Sequence, residues 1–175
     1  MNITVYLGAS LTNSGRFIAA TKELGEFIGK RGDTLIYGGS KMGMMGILAD
    51  SVLASGGSVI GVEPRAFVEK ELQHSDITKL IVTEDMPERK AKMIELGDAF
   101  IALPGGTGTL EEISEIMSLV SMNTIDAPCI LYNIDGYYNE LKELLDKMIS
   151  YDLSSKKRQS GIHFVSSLSE IEGLI

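Results

Sequence analysis

The sequence predicts an α/β protein built on a doubly wound, mostly parallel sheet of about seven strands with helices on both faces. Three observations predict it. Short apolar runs alternate with longer segments of helical period along the whole chain. Those runs are apolar at consecutive positions, as strands are when helices cover both sides of a parallel sheet. Several of them end in glycine, at the end of the strand where such sheets bind ligands.

The elements follow in order. ITVYLG is a buried strand. From about Gly15 to Lys30, Phe17, Ile18, Leu24, Phe27 and Ile28 recur near helical spacing. DTLIYGG repeats the strand-then-glycine pattern, and Met44 to Leu53 forms the next helix. SVIGVEP is the third strand, stopped by Pro64, and Phe67 to Ser75 reads equally as a short helix or a loop. KLIVTED is the fourth strand. In the next helix Asp85 caps, Pro87 fits the first turn, Glu88 completes a capping-box pattern, and Gly97 marks the end. DAFIALP, the helix Leu110 to Met122, PCILYN, the helix Tyr137 to Ile149, IHFV and SLSEIEGLI complete the alternation. The expectation is one domain spanning residues 1–175, with no linker, low-complexity segment or repeat.

Composition narrows the function classes. Hydrophobic residues make up 44% and charged residues 23%, a globular balance. The formal net charge of -8 speaks against sequence-independent binding of nucleic acid, but leaves room for a small anion in a local positive pocket. Cys129 is the only cysteine, so no internal disulfide forms. MNITVYLGAS lacks a basic segment followed by a long apolar run, and no stretch approaches transmembrane length. The expectation is a soluble cytoplasmic protein with no membrane or nucleic-acid partner.

Three glycine-rich strand ends carry the candidate site: LGAS with Gly8 and Ser10, YGGSKMGMMG with Gly38 and Gly39, and PGGTGT with Gly105, Gly106, Thr107, Gly108 and Thr109. The first two, taken singly, read as tight turns. The dinucleotide fingerprint is not met: G-x-G-x-x-G spacing is missing, and no acidic residue closes the second strand. No Gly-Lys-Ser/Thr follows to make a Walker A loop. PGGTGT is the stronger signal. Its alternative is a strand-helix turn with a threonine N-cap. Three glycines in four positions exceed what a turn needs, and they let backbone N–H groups and a helix N-terminus converge on an anion.

Two sets of charges stand where a structural reading fits poorly. Glu112 precedes Ile116 by four residues and so borders the buried face formed by Ile113, Ile116, Met117 and Val120. Placed in the first helical turn, it would have its ionised form favoured by the helix dipole, while Glu111 and Glu115 point to solvent. Arg89 and Lys90 share a face with Met86, Met93 and Ile94, either snorkelling past the core edge or reaching an anion. Their helix feeds the strand that leads into PGGTGT, which favours the second. His74 and His163 lack a metal-ligand cluster and read as core or surface histidines. Cys129 reads as a buried thiol, and Met42, Met44 and Met45 as core or pocket lining.

PGGTGTLEE fits the PGGxGTxxE motif, and DMPERKAKM resembles the M-x-x-R-K motif, of the Lonely Guy (LOG) family. IYGGSKMGMMGILAD, GGSVIGVEP and NIDGYYNEL resemble its other segments in the same order, so the likeness covers nearly the whole chain. The resemblance implies a Rossmann-like nucleotide-binding domain. It implies a phosphoribohydrolase that cleaves the N-glycosidic bond of a nucleoside 5′-monophosphate, a cytokinin nucleotide or AMP, to free base and ribose 5-phosphate. It implies Arg89 and Glu112 as the catalytic pair, Gly105 to Thr109 on the 5′-phosphate, Met86 and Lys90 beside them, no metal or organic cofactor, and a homodimer or larger homo-oligomer. Older lysine decarboxylase labels on the family gain nothing from this sequence, where no lysine is marked for pyridoxal phosphate. Arg89 has three open roles: holding the phosphate, holding a ribose hydroxyl, or positioning Glu112. The sequence departs from the family at Pro87, where histidine is common, at Thr107, where an aromatic is usual, and at Leu119 and Ser121, where tryptophan and glutamine often stand. The competing class is a non-catalytic nucleotide-binding carrier or sensor, for which a carboxylate at the sugar has no use.

Overall fold

The computed structural model describes residues 1–70 and 72–175. Seven parallel strands form one sheet: β1 (Asn2–Tyr6), β2 (Thr34–Tyr37), β3 (Ser58–Pro64), β4 (Lys79–Thr83), β5 (Ala99–Ala102), β6 (Cys129–Tyr132) and β7 (Ile162–Val165). Every ladder is parallel, so the expectation of a mostly parallel sheet is met in its strictest form. The helices are α1 (Gly15–Lys30), α2 (Gly43–Ala54), α3 (Arg65–Val68), α4 (Met86–Leu96), α5 (Thr107–Ser121), α6 (Asn139–Ser150) and α7 (Leu168–Glu172). A 3₁₀ turn, Ile134–Gly136, precedes α6. The ambiguous segment Phe67 to Ser75 begins inside α3; Glu71 within it lies outside the described residues.

Alternation along each strand divides the core in two. Ile3 and Val5 of β1 and Leu35 of β2 pack with Leu24 and Ile28 of α1 and Leu48 and Val52 of α2. Their neighbours Tyr6 and Ile36 point the other way, to Met93 of α4 and Ile113 and Ile116 of α5. Both faces of the sheet are therefore dry, which is why the strands read as continuous apolar runs. Cys129 is buried in the second layer, where burial pushes its thiol up to about 12, as expected of an inert cysteine.

Strand order places the functional end. It runs β4-β3-β2-β1-β5-β6-β7. The chain builds outward from β1 to the edge strand β4, then α4 carries it back across the sheet to β5, on the other side of β1. β1 and β5 thus flank the switch point, and the crevice beyond their C-terminal ends is where such sheets take ligands. α4 is tied to β1 where it crosses: the Thr4 hydroxyl donates to the Met93 carbonyl (3.1 Å) and the Asn2 amide to the Leu96 carbonyl (2.8 Å). Asp85 caps α4 through the Glu88 N–H (2.9 Å), as its sequence predicts. The Glu88 carboxylate accepts from the N–H of Glu84 rather than that of Asp85, so the reciprocal half of the capping box is displaced by one residue.

Candidate active site

α5 begins three residues earlier than its apolar pattern suggests. Its N-cap is Gly106, so Thr107, Gly108 and Thr109 form the first turn, and no threonine caps it. The backbone N–H groups of that turn have no intrahelical partner and point at the crevice with the positive end of the helix dipole. The earlier start moves Glu112 into the second turn. Its protonation is governed by burial and Arg89 instead of by the helix terminus.

A cleft of roughly 510 Å³ opens at the switch point. It is bounded by Gly8 and Ser10 after β1, by Met86, Arg89 and Lys90 of α4, by Gly105 to Thr109, and by Glu112. Two of the sequence-predicted glycines are not in its wall. Gly38 and Gly39 lie behind it, where a Cβ on Gly38 would strike Arg89 Nη2. Gly38 makes room for the guanidinium, and Gly39 for the side chain of Glu63. The sequence missed Leu11, Thr12, Phe17 and Tyr137 as cleft residues, while Met44 and Met45, read as core or pocket lining, do line the cleft. Met42 of that trio is exposed at the N-cap of α2.

At the base of the cleft Arg89 Nη1 donates to Glu112 Oε1 at 2.8 Å, and Arg89 Nε donates to the Val62 carbonyl at 3.2 Å. Both side chains are less than a tenth exposed. Burial pushes the Glu112 carboxyl above the usual carboxylate range, and the guanidinium pulls the other way. Lys90 lines the same wall, but its ammonium is held by Glu111 Oε1 (2.8 Å) and Glu115 Oε2 (3.2 Å). Glu111 is exposed as expected, yet it sits at the cleft mouth as a partner of Lys90 rather than facing away.

The segment after β6 closes the other side. The Tyr137 hydroxyl donates to the Gly105 carbonyl, and the Tyr138 hydroxyl donates to the Leu103 carbonyl at 2.7 Å. Tyr137 also meets the edge of Phe17, with ring centroids 5.8 Å apart. The glycine loop is thereby pinned to the segment leading into α6, and through Tyr137 to α1. His74 is a satisfied core histidine: Nδ1 accepts from the Asp76 N–H (3.3 Å), which leaves Nε2 to donate to Asp50 (2.9 Å). Among the described residues no group of three His, Cys, Asp or Glu side chains could hold a metal ion, and no helix is long and apolar enough to cross a membrane.

A parallel α/β sheet with an anion-type glycine loop and a buried Arg–Glu pair at its switch point defines a Rossmann-like protein with a small-molecule site. Within that class the chain belongs to the Lonely Guy family. The family model described as possible lysine decarboxylase matches residues 45–173. A probable cytokinin riboside 5′-monophosphate phosphoribohydrolase of Oryza sativa subsp. japonica is 41% identical over 145 residues, which cover 83% of this chain and 65% of that protein. A cytokinin riboside 5′-monophosphate phosphoribohydrolase of Rhodococcoides fascians is 40% identical over 146 residues, 83% of this chain and 74% of that protein. Among solved structures, the Moco carrier protein of Chlamydomonas reinhardtii superposes with a TM-score of 0.72 at 19% identity, over 99% of this chain and 96% of that one. The molybdenum cofactor binding protein of Rippkaea orientalis gives 0.68 at 19% identity, over 99% and 93%. At such identity the structural likeness is one of fold.

Proposed function

We propose that this chain is a single-domain phosphoribohydrolase that splits the N-glycosidic bond of a nucleoside 5′-monophosphate, a cytokinin riboside monophosphate or AMP, into free base and ribose 5-phosphate. The observation that carries the reading is the buried Arg89–Glu112 contact at the floor of a cleft whose rim is the Gly105 to Thr109 loop. The names of the rice and Rhodococcoides relatives support the substrate class.

The chemistry follows from that arrangement. The first turn of α5 takes the 5′-phosphate, and this remote contact positions the sugar. As the ribosyl C–N bond breaks, its electron pair leaves with the base, which takes up a proton, and positive charge builds on the sugar. The Glu112 carboxylate stabilises that charge and accepts the proton of the water that bonds to the anomeric carbon. Its raised pKa makes it a stronger base than an unburied carboxylate. Arg89 fixes Glu112 through Nη1, and Nη2 is not committed to either the Glu112 or the Val62 contact. Lys90 acts at the mouth, where its carboxylate partners are exposed enough to yield to a phosphate.

A cytoplasmic homodimer accompanies this reading. Exposed Met86 of α4 and Leu110 of α5 support a partner over that side of the cleft. A carrier without catalysis is the weaker reading, because binding alone gives no reason to bury a carboxylate beside the sugar position. The test is a panel of nucleoside monophosphates, including N6-modified AMP, with base and ribose 5-phosphate resolved by chromatography. Release of both products is expected. Tight binding with no product from any nucleotide would establish the carrier instead.

A further inference from the structure

Behind the Arg89–Glu112 pair lies a second buried carboxyl that the hydrolytic chemistry does not use. Glu63 stands near the end of β3 and is 2% exposed. Val62 packs with Met93 on the α4 side, so alternation turns Glu63 to the opposite face, that of Tyr37. Glu63 Oε2 and the Tyr37 hydroxyl are buried without a hydrogen-bond partner among the described residues. The backbone of Gly39, at φ +88°, lies against Glu63; a Cβ there would fall 2.9 Å from the Glu63 Cβ and 3.3 Å from its Oε2. One residue earlier, a Cβ on Gly38 would strike Arg89 Nη2. Carboxyl and guanidinium therefore flank the same two-glycine step.

Among the described residues, the other charged groups around Glu63 are engaged elsewhere. β4 sets Val82 and Thr83 beside Glu63 and Pro64. Arg65 of α3 turns outward to Glu84 (2.8 Å), and Asp50 of α2 is held by His74 (2.9 Å). Tyr37 of β2 is itself driven further from ionisation by burial and by Glu63. Among the described residues, Arg89 is the cation that acts on Glu63.

We propose that Glu63 is a positioning residue for Arg89, setting from across the Gly38–Gly39 step how much of the guanidinium's charge is offered to Glu112 and to an anion in the cleft. Burial pushes the Glu63 carboxyl up to about 7, against the pull of Arg89. Below neutrality Glu63 is uncharged and Arg89 serves Glu112 and the ligand alone. Above it, a second negative charge competes for the guanidinium and repels a phosphate at the α5 N-terminus. The proposal rests on the nucleotide reading only for the identity of that anion.

Sulfate tests it without a nucleotide, because sulfate stays a dianion between about pH 6 and pH 8, where an unperturbed carboxylate does not titrate. Calorimetric titration of sulfate is compared in wild type and Glu63→Gln. The wild-type Kd is expected to weaken at least about fivefold between those pH values, the effect of one added charge on a dianion even at water-like screening. In Glu63→Gln it should stay constant. Glu63→Asp, which keeps a titrating carboxyl, retains the pH response with a shifted midpoint. A wild-type Kd that does not change with pH, or a Glu63→Gln protein that follows the wild type, overturns the proposal. The same comparison on the KM for AMP separates the two readings. Hydrolysis with identical profiles removes the role of Glu63 and spares the hydrolase. Intact AMP with a Glu63-dependent sulfate response does the reverse.

Discussion

Arg89 Nη1 and Glu112 Oε1 meet at 2.8 Å across the gap between α4 and α5, each side chain less than a tenth exposed. The two helices precede and follow one strand, β5, and Lys90 of α4 adds ion pairs to Glu111 and Glu115 of α5. A buried ion pair of this kind is weak evidence for stability, since desolvating both charges offsets most of their attraction. Its position at the floor of the switch-point crevice gives it a chemical use instead.

Glu112→Gln keeps the shape of the side chain and an oxygen for Arg89, and removes the charge. Turnover of nucleotide should fall at least about 100-fold, the low end for loss of a general base. Nucleotide affinity, carried by the α5 N-terminus, should stay within about threefold. Rates from product chromatography and Kd from calorimetry check the two halves. A Glu112→Gln enzyme within tenfold of wild-type turnover would exclude Glu112 from the chemistry.

Arg89→Met leaves the Glu112 carboxyl buried without its partner, a loss of about 3–5 kcal/mol when such pairs are broken one-sidedly. The cost depends on pH, with a definite sign. Burial already raises the Glu112 pKa in the folded chain, and removing Arg89 raises it further. The folded state then holds a proton that the unfolded state releases, so stability is lost as pH climbs from the unfolded to the folded pKa. Urea unfolding should show Arg89→Met nearer to wild type in mild acid than in mild alkali. Equal losses at both would mean that Arg89 does not neutralise Glu112.

The strands were legible in the sequence because both sheet faces are dry and four of the seven apolar runs stop at a glycine or proline. Arg89 and Glu112 were legible because a charge in phase with Met93 or Ile116 has no structural excuse. The start of α5 was not. Sequence cues for a helix start rest on a capping side chain, and Gly106 has none. Gly38 and Gly39 read singly as a tight turn, and what they accommodate, Arg89 behind Gly38 and Glu63 against Gly39, comes from elements distant in sequence. Tyr137 and Phe17 reach the cleft from loops and helix starts that share no local pattern with the glycine motif. Glu63 did carry a signal, an acidic residue inside the apolar strand SVIGVEP.

Gly38→Ala tests the space behind the guanidinium. The new Cβ would occupy the site of Arg89 Nη2 and approach Met45 Cε to 2.9 Å. The methionine can move aside. Arg89 is fixed by Val62 and Glu112, so it must give up one contact. The expected result is a folded protein with turnover reduced about 10-fold or more, as for a reacting geometry displaced by an ångström. Circular dichroism and kcat together check it; a fully active Gly38→Ala protein would show that Arg89 tolerates displacement.

Tyr137→Phe probes the glycine loop itself. The hydroxyl donates to the Gly105 carbonyl, while the ring packs against Phe17 and Tyr138. Phenylalanine keeps both aromatic contacts and removes only the hydrogen bond, a loss of about 1 kcal/mol at a partly exposed position. Gly105 is where α5 receives the chain, and a Cβ there would already collide with Thr109. Loosening its carbonyl therefore disperses the first-turn N–H groups that meet the phosphate, rather than Glu112, which is held from α4. The KM for nucleotide should rise about fivefold, the equivalent of that free energy, with kcat within twofold. A fall in kcat at unchanged KM would instead place Tyr137 at the reacting bond.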